Sequence, residues 1–313
     1  MKNNKEYALL LESVYKDYGP KRVLENLNLA VQPCEFVTVV GPSGCGKSTL
    51  LRLILGQEPP TYGTIFVHGQ EFYRPSEEAG IVYQKYPLFP HLTVLENIML
   101  GGRLERTPWG GWFKRKEIRQ QALEYLANVN LQEHAYKYPF ELSGGMQQRV
   151  AIAQAIFTKP KTLLMDEPFG ALDAGTRESM QVYLLKTWQE CQMTVFFVTH
   201  DLEEAVYLGT RIIALSQYYH GDADGAEGIK NSKHGARIVA DYKLPRVALS
   251  TSIKEKAEFG QLIQQIRREA FDPQYLQDID VFNLKHPDSF THPDAGECEI
   301  KGTCEIKNGG NQG

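Results

Sequence analysis

Short, wholly apolar runs alternate along this chain with longer segments in which apolar residues recur at helical spacing. Phe36-Val37-Thr38-Val39-Val40, Thr162-Leu163-Leu164-Met165 and Thr194-Val195-Phe196-Phe197-Val198 predict strands buried on both faces, as in a mostly parallel sheet covered by helices. The first runs into a glycine-rich turn, and the other two end at polar or acidic residues. Functional groups at the carboxyl ends of such strands are where open α/β sheets bind ligands. Between about Leu95 and Phe157 the pattern turns helical. Ile118, Ala122, Tyr125, Leu126 and Val129 fall on one face with charges between them, so this block reads as a helical subdomain inserted into the α/β core. Pro108-Trp109-Gly110-Gly111-Trp112-Phe113 predicts an aromatic loop inside it. Tyr218–Gly235 predicts a surface loop, and Phe259, Leu262, Ile263 and Ile266 an amphipathic helix near Ser252–Ala270. The apolar content then falls, and 288–313 reads as a disordered tail.

Composition narrows the class. With 313 residues, 42% hydrophobic and 23% charged, the chain is expected to be a soluble globular protein with a sizeable core. The apolar runs fall short of the ~20 residues of a spanning helix, and Met1–Tyr7 lacks the apolar stretch of a secretory signal. Five scattered cysteines fit reduced cytosolic thiols better than a disulfide framework. A formal net charge of −4 gives no reason to expect nucleic acid as a partner. His286, His292, Cys298 and Cys304 are spaced too widely to predict a zinc site.

The chemistry begins at Gly41-Pro42-Ser43-Gly44-Cys45-Gly46-Lys47-Ser48-Thr49, between a predicted strand and a helix expected to begin near Ser48. Glycines let backbone N–H groups wrap phosphate oxygens, and the helix start adds positive potential. Lys47 can reach the β- and γ-phosphates, and the Ser48 hydroxyl can ligand Mg²⁺. A nucleotide's phosphates and Mg²⁺ are therefore the expected ligands. The carboxylates ending Thr162–Glu167 complete such a site: Asp166 is the candidate for Mg²⁺ and Glu167 the candidate base toward water.

Leu142-Ser143-Gly144-Gly145-Met146-Gln147-Gln148-Arg149 resembles the signature of ABC ATPases, and the family's other elements follow in order. Tyr18 resembles the adenine-stacking aromatic, Gln84 the glutamine of the lid loop, Ala171-Leu172-Asp173 the loop after the catalytic glutamate, and His200 in Thr199-His200-Asp201 the switch histidine. The resemblance covers roughly Leu10 to Val247. It implies an α/β fold with a phosphate-loop (RecA-like) ATPase core, an inserted helical subdomain over about 95–157 and a short C-terminal helical extension. The corresponding division is a cassette over 1–247, an extension over 248–287 and the tail.

It also implies ATP hydrolysis between two subunits paired head to tail, with Ser143, Gly144 and Gly145 closing over the partner's γ-phosphate. Glu167, His200 and Gln84 would be catalytic, and Ser48, Gln84 and Asp166 would hold the metal. Tyr86–Asn97 resembles the importer version of the groove that receives a membrane permease. A second copy, permease subunits and, indirectly, a substrate-binding protein are therefore the expected partners, at the cytoplasmic face of the membrane. Arg237–Arg246 and the short ending resemble the nitrate/sulfonate/taurine importer branch, and Phe271 to Phe290 its members beside urea- or guanidine-metabolism enzymes. A soluble cluster-assembly ATPase is the alternative class. Two residues depart from the family pattern. Gln154 replaces a usual arginine, and Cys34 stands where glycine is usual, so a turn needing positive φ there would be strained.

Overall fold

The computed structural model describes residues 7–71, 78–85, 88–104, 112–220, 234–244 and 257–289. The chain opens with an antiparallel hairpin, β1 (Leu9–Tyr18) and β2 (Lys21–Val31), turning through Gly19 at φ 58°. Next come β3 (Phe36–Val40), α1 (Lys47–Ile54), β4 (Tyr62–Val67), β5 (Gln70–Glu71) and β6 (Ala79–Val82). Three helices follow, α2 (Val94–Leu104), α3 (Trp112–Asn128) and α4 (Gly144–Phe157). Strand and helix then alternate through β7 (Thr162–Asp166), α5 (Ala174–Cys191), β8 (Thr194–Val198), α6 (Leu202–Leu208) and β9 (Arg211–Ser216). The last elements are β10 (Tyr219–His220), β11 (Arg237–Lys243), α7 (Ala257–Ile266), β12 (Gln277–Asp278) and β13 (Asn283–Leu284).

Among the described residues the strands form a central seven-stranded sheet in the order β13-β11-β9-β3-β8-β7-β6 and a four-stranded antiparallel sheet, β2-β1-β4-β5. Strands β9, β3, β8, β7 and β6 run parallel, each paired with its neighbour. Every residue of β3 and β8 is buried. At about 1.5–3 kcal/mol for each buried Val, Leu or Phe, burial outweighs any local preference and holds these segments extended between two layers.

One core lies between the central sheet and α2–α5; in it Ala122, Leu126 and Val129 are buried and Ile118 and Tyr125 pack alongside, the face expected from the helical spacing. A second core fills the space toward β1, β2 and α1. The α2 start is fixed locally. Thr93 and Glu96 bond each other's backbone N–H groups at 3.3 and 3.0 Å, a reciprocal capping box. Buried Asn97 ties the carbonyls of Phe89, Leu92 and Thr93 together.

Several expectations are modified. The C-terminal extension is not helical alone: β12 pairs with β10, and β13 pairs with β11 at the edge of the central sheet. After α7 the chain makes a π-helical turn, Arg267–Phe271. Tyr219, expected in a surface loop, is buried, with its hydroxyl donating to the Gly235 carbonyl at 2.8 Å. His286 is also buried, at 7% exposure. Cys34 does have φ 65°, so its turn carries the expected strain. The aromatic loop 108–111, the side chains of Trp112 and Phe113, residues 221–233 and the tail beyond 289 lie outside the described residues.

Candidate functional site: a phosphate cleft at the carboxyl ends of the parallel strands

Three neighbouring strands end at one place: β3 leads into Gly41, β7 ends at Asp166 and β8 is followed by Thr199 and His200, while two residues beyond β6 comes Gln84. A cleft of about 320 Å³ opens there, lined by Ser43, Gly44, Gly46, Lys47, Ser48, Thr49, Gln84, Asp166 and Glu167, and also by Lys21 and Val23. Its floor is the start of α1. Gly46 is the N-cap at φ 102°, and no side chain caps the helix. The first N–H groups of α1 therefore keep their donors for an anion. Glycine is required here, because a Cβ would meet Leu24 Cδ2 at 2.6 Å in a backbone conformation that L residues rarely adopt.

Lys47 is buried, and its Nζ donates to the carbonyls of Gly41 and Pro42 at 2.7 and 3.0 Å. This bridge holds the loop closed and leaves one of the three ammonium donors for a phosphate oxygen. Ser48 and Asp166 line the cleft together, and burial pushes the Asp166 carboxyl above its ordinary range while the neighbouring Ser48 hydroxyl opposes this. Glu167 is gripped from both sides. Gln84 Nε2 donates to Oε2 at 3.2 Å, and His200 Nδ1 lies 3.1 Å from Oε1. For that second contact to be a hydrogen bond, Nδ1 must carry the proton. Glu167 itself has φ 48°, with its backbone N–H donating to the Val198 carbonyl at 2.9 Å. A left-handed glutamate is strained, and such strain collects at functional sites.

His200 does not itself line the cleft and meets it through Glu167, and four further groups of expected site residues stand apart from it. The Cys45 thiol is 2% exposed and packs in the core beside Leu50, and burial pushes it above the usual thiol range; it does not face the phosphate position. Gly41 and Pro42 act through carbonyls that accept from Lys47, not as lining. Tyr18 lies beside the cleft. Its hydroxyl donates to Glu58 at 2.5 Å and accepts from Arg52 at 3.4 Å, and the residue remains 40% exposed. Finally, Ser143, Gly144 and Gly145 do not line the cleft at all. Ser143 is the N-cap of α4, accepting the Met146 N–H at 3.3 Å. Gly144 has open space where a Cβ would project, whereas Gly145 lies close to the Ala171 carbonyl. Within α4, buried Gln148 donates to the Pro168 carbonyl and accepts the Ala171 N–H, tying this helix to the loop after Glu167.

Lys21 and Val23 escaped the sequence reading because only the hairpin's fold brings them to the phosphate loop; their local pattern is that of an ordinary strand start.

Comparison with known proteins gives the family. The family model described as "ABC transporter" matches residues 24–170. The aliphatic sulfonates import ATP-binding protein SsuB of Bacillus anthracis is 45% identical over 202 residues, 64% of this chain and 77% of that protein. The chain belongs to the ABC transporter family. It is an ATP-binding subunit with ATPase activity, on an α/β phosphate-loop fold. The nitrate import ATP-binding protein NrtD of Synechocystis is 49% identical over 198 residues, 63% of this chain and 72% of that one, which places the chain near the nitrate/sulfonate branch. Among solved structures, the dimeric ATP-binding cassette MJ0796 bound to ADP and Pi in a post-hydrolysis state has 34% identity and a TM-score of 0.63, covering 76% of this chain and 99% of that one. Among the described residues no helix is long and apolar enough to cross a membrane.

Proposed function

We propose that this chain is the motor subunit of an importer: two copies, paired head to tail on the cytoplasmic face of a membrane permease, hydrolyse MgATP to drive uptake of a small nitrogen- or sulfur-containing solute. The observation that carries the site assignment is the grip on Glu167, a carboxylate held between Gln84 and His200 at the rim of a phosphate cleft. A base must meet the attacking water in a fixed orientation, and two side chains bonding its two oxygens provide that. Lys47 and the α1 N-terminus bind the β- and γ-phosphates, His200 holds the γ-phosphate and the water, and Tyr18 offers its exposed ring to adenine.

Ser48, Asp166 and the Gln84 amide oxygen are hard oxygen donors of the kind Mg²⁺ takes, and all three residues line the same cleft. Mg²⁺ held there would neutralise charge on the phosphates. The chain's own residues do the rest: Glu167 accepts the water's proton while Lys47 and the helix N–H groups hold the phosphoryl oxygens.

The placement of Ser143–Gly145 supports the pairing. They open a helix with Gly144 uncovered, a place suited to an anion, and they stand outside their own subunit's cleft, which supports a role in capping the partner's phosphate. A dimeric relative and the import proteins for sulfonates and nitrate support this assembly and solute class. A substrate-binding protein would deliver the solute to the permease. The same reading assigns 1–247 to the cassette and 248–287 to an extension.

The test is Glu167→Gln, which keeps the side chain's size and removes its basicity. The expected protein binds ATP with wild-type affinity and loses steady-state hydrolysis by at least about a hundredfold, the lower range for general-base catalysis. Hydrolysis near the wild-type rate contradicts the assignment.

A further inference from the structure

A buried polar chain connects the loop after Glu167 to His200 without touching the cleft. Thr199, the residue before His200, is 2% exposed. Its hydroxyl donates to Glu204 Oε2 at 2.9 Å and accepts the Asp201 N–H at 3.0 Å. His200 therefore stands between two residues anchored by one hydroxyl. The other oxygen of Glu204 accepts from Gln181 Nε2 at 3.4 Å and lies 3.6 Å from Arg177 Nε. Arg177 reaches onward: its Nη2 donates to the Leu172 carbonyl at 3.2 Å, inside the Ala171–Asp173 loop.

Helix formation does not explain Glu204. Asp201 already caps α6, accepting the Glu203 and Glu204 N–H groups at 2.9 and 3.3 Å. The exposed Glu203 supplies the favourable first-turn charge. A carboxylate buried to 7% exposure is costly to desolvate, and burial pushes its carboxyl above the ordinary range. An apolar residue would serve packing better.

We propose that Glu204 is a positioning residue for hydrolysis: held by Arg177 and Gln181, it fixes Thr199 and so sets His200 against Glu167, linking the position of the Ala171–Asp173 loop to the histidine. This inference rests on the site reading above, in which His200 acts in hydrolysis. That loop is joined to the signature helix through Gln148, so these contacts connect both to His200.

The test uses the full-length chain and steady-state ATPase rates. Thr199→Val keeps the side chain's shape and removes the hydroxyl, Thr199→Ser keeps the hydroxyl, and Glu204→Gln removes the charge. Thr199→Val and Glu204→Gln should each lower kcat about tenfold with KM for ATP changed less than about twofold, the pattern of an interaction made only in the transition state. Thr199→Ser should restore most of the rate, and the Thr199→Val/Glu204→Gln double variant should be no slower than the slower single one. Wild-type kcat in Thr199→Val, or multiplicative losses in the double variant, overturns the link. So does a fall in thermal stability with kcat per folded molecule unchanged. His200→Ala separates the two readings. If it hydrolyses ATP at the wild-type rate, the role of His200 falls and this inference with it; if it is inactive while Thr199→Val is fully active, the link alone falls.

Discussion

At the scale of the residue, the phosphate loop is constrained by backbone as much as by side-chain chemistry. A Cβ on Gly41 would lie 2.2 Å from the Leu215 carbonyl oxygen, a backbone atom that cannot swing aside. Gly41→Ala should therefore lower stability by about 1–3 kcal/mol, the range for overpacking a filled interior, while Gly44, with open space around it at φ 80°, should lose only about 1 kcal/mol on the same change. Thermal unfolding of the two variants checks the ranking. The two cysteines that flank β3 should differ in reactivity. Cys34 is exposed, whereas Cys45 is buried and its thiol is pushed upward. A thiol reagent should label Cys34 first, with ATPase retained, and reach Cys45 only as the loop opens; mass spectrometry against time reads the order, and rapid early labelling of Cys45 would contradict it. The sequence showed that the loop holds a thiol but not which way it points, because a single residue in a loop has no periodicity to give its direction.

At the scale of the element, strand β9 carries a feature that composition conceals. Arg211 is fully buried. It holds Asp241 of β11 with two bonds at 2.8 and 2.6 Å, the Ala30 carbonyl of β2 at 2.6 Å and Glu35 at 3.3 Å. Arg211→Met should cost about 3–5 kcal/mol, since it strands the Asp241 carboxylate in the interior; a denaturant midpoint within error of wild type would count against this. Charged residues are expected outside, so nothing in the run Arg211–Leu215 announced the pairing. By contrast, β3, β7 and β8 were legible nearly to the residue. Their apolar runs are short, uniform and bounded by polar residues, so local pattern and tertiary burial agree. The two-residue strands β12 and β13 were not legible, because they are strands only by virtue of the edges they meet.

At the scale of the whole molecule, the segment after α7 is fastened to the cassette by a buried acid–base cluster. The backbone N–H groups of Lys285 and His286 donate to the Asp241 carbonyl at 3.1 Å, and Ser289 Oγ donates to the Asp241 carboxylate. Burial and the nearby Arg211 charge lower the His286 pKa from 6.5 to about 4. The folded protein thus keeps this imidazole neutral at pH values where the unfolded chain takes up a proton. Stability from this group is complete above pH 6.5 and is lost as pH falls from there to about 4, a slope that integrates to about 3 kcal/mol. His286→Gln should flatten the dependence of Tm on pH across that window, and an unchanged slope would reject this source.

The active assembly is also a whole-molecule property, since the phosphate cleft and Ser143–Gly145 stand apart within one chain. Sedimentation velocity of Glu167→Gln protein, with and without saturating MgATP, measures it directly. The account predicts a monomer without nucleotide, a dimer with it, and loss of that dimer when Ser143→Arg crowds the start of α4. A protein that binds ATP yet stays monomeric, or a dimer indifferent to Ser143→Arg, would contradict it.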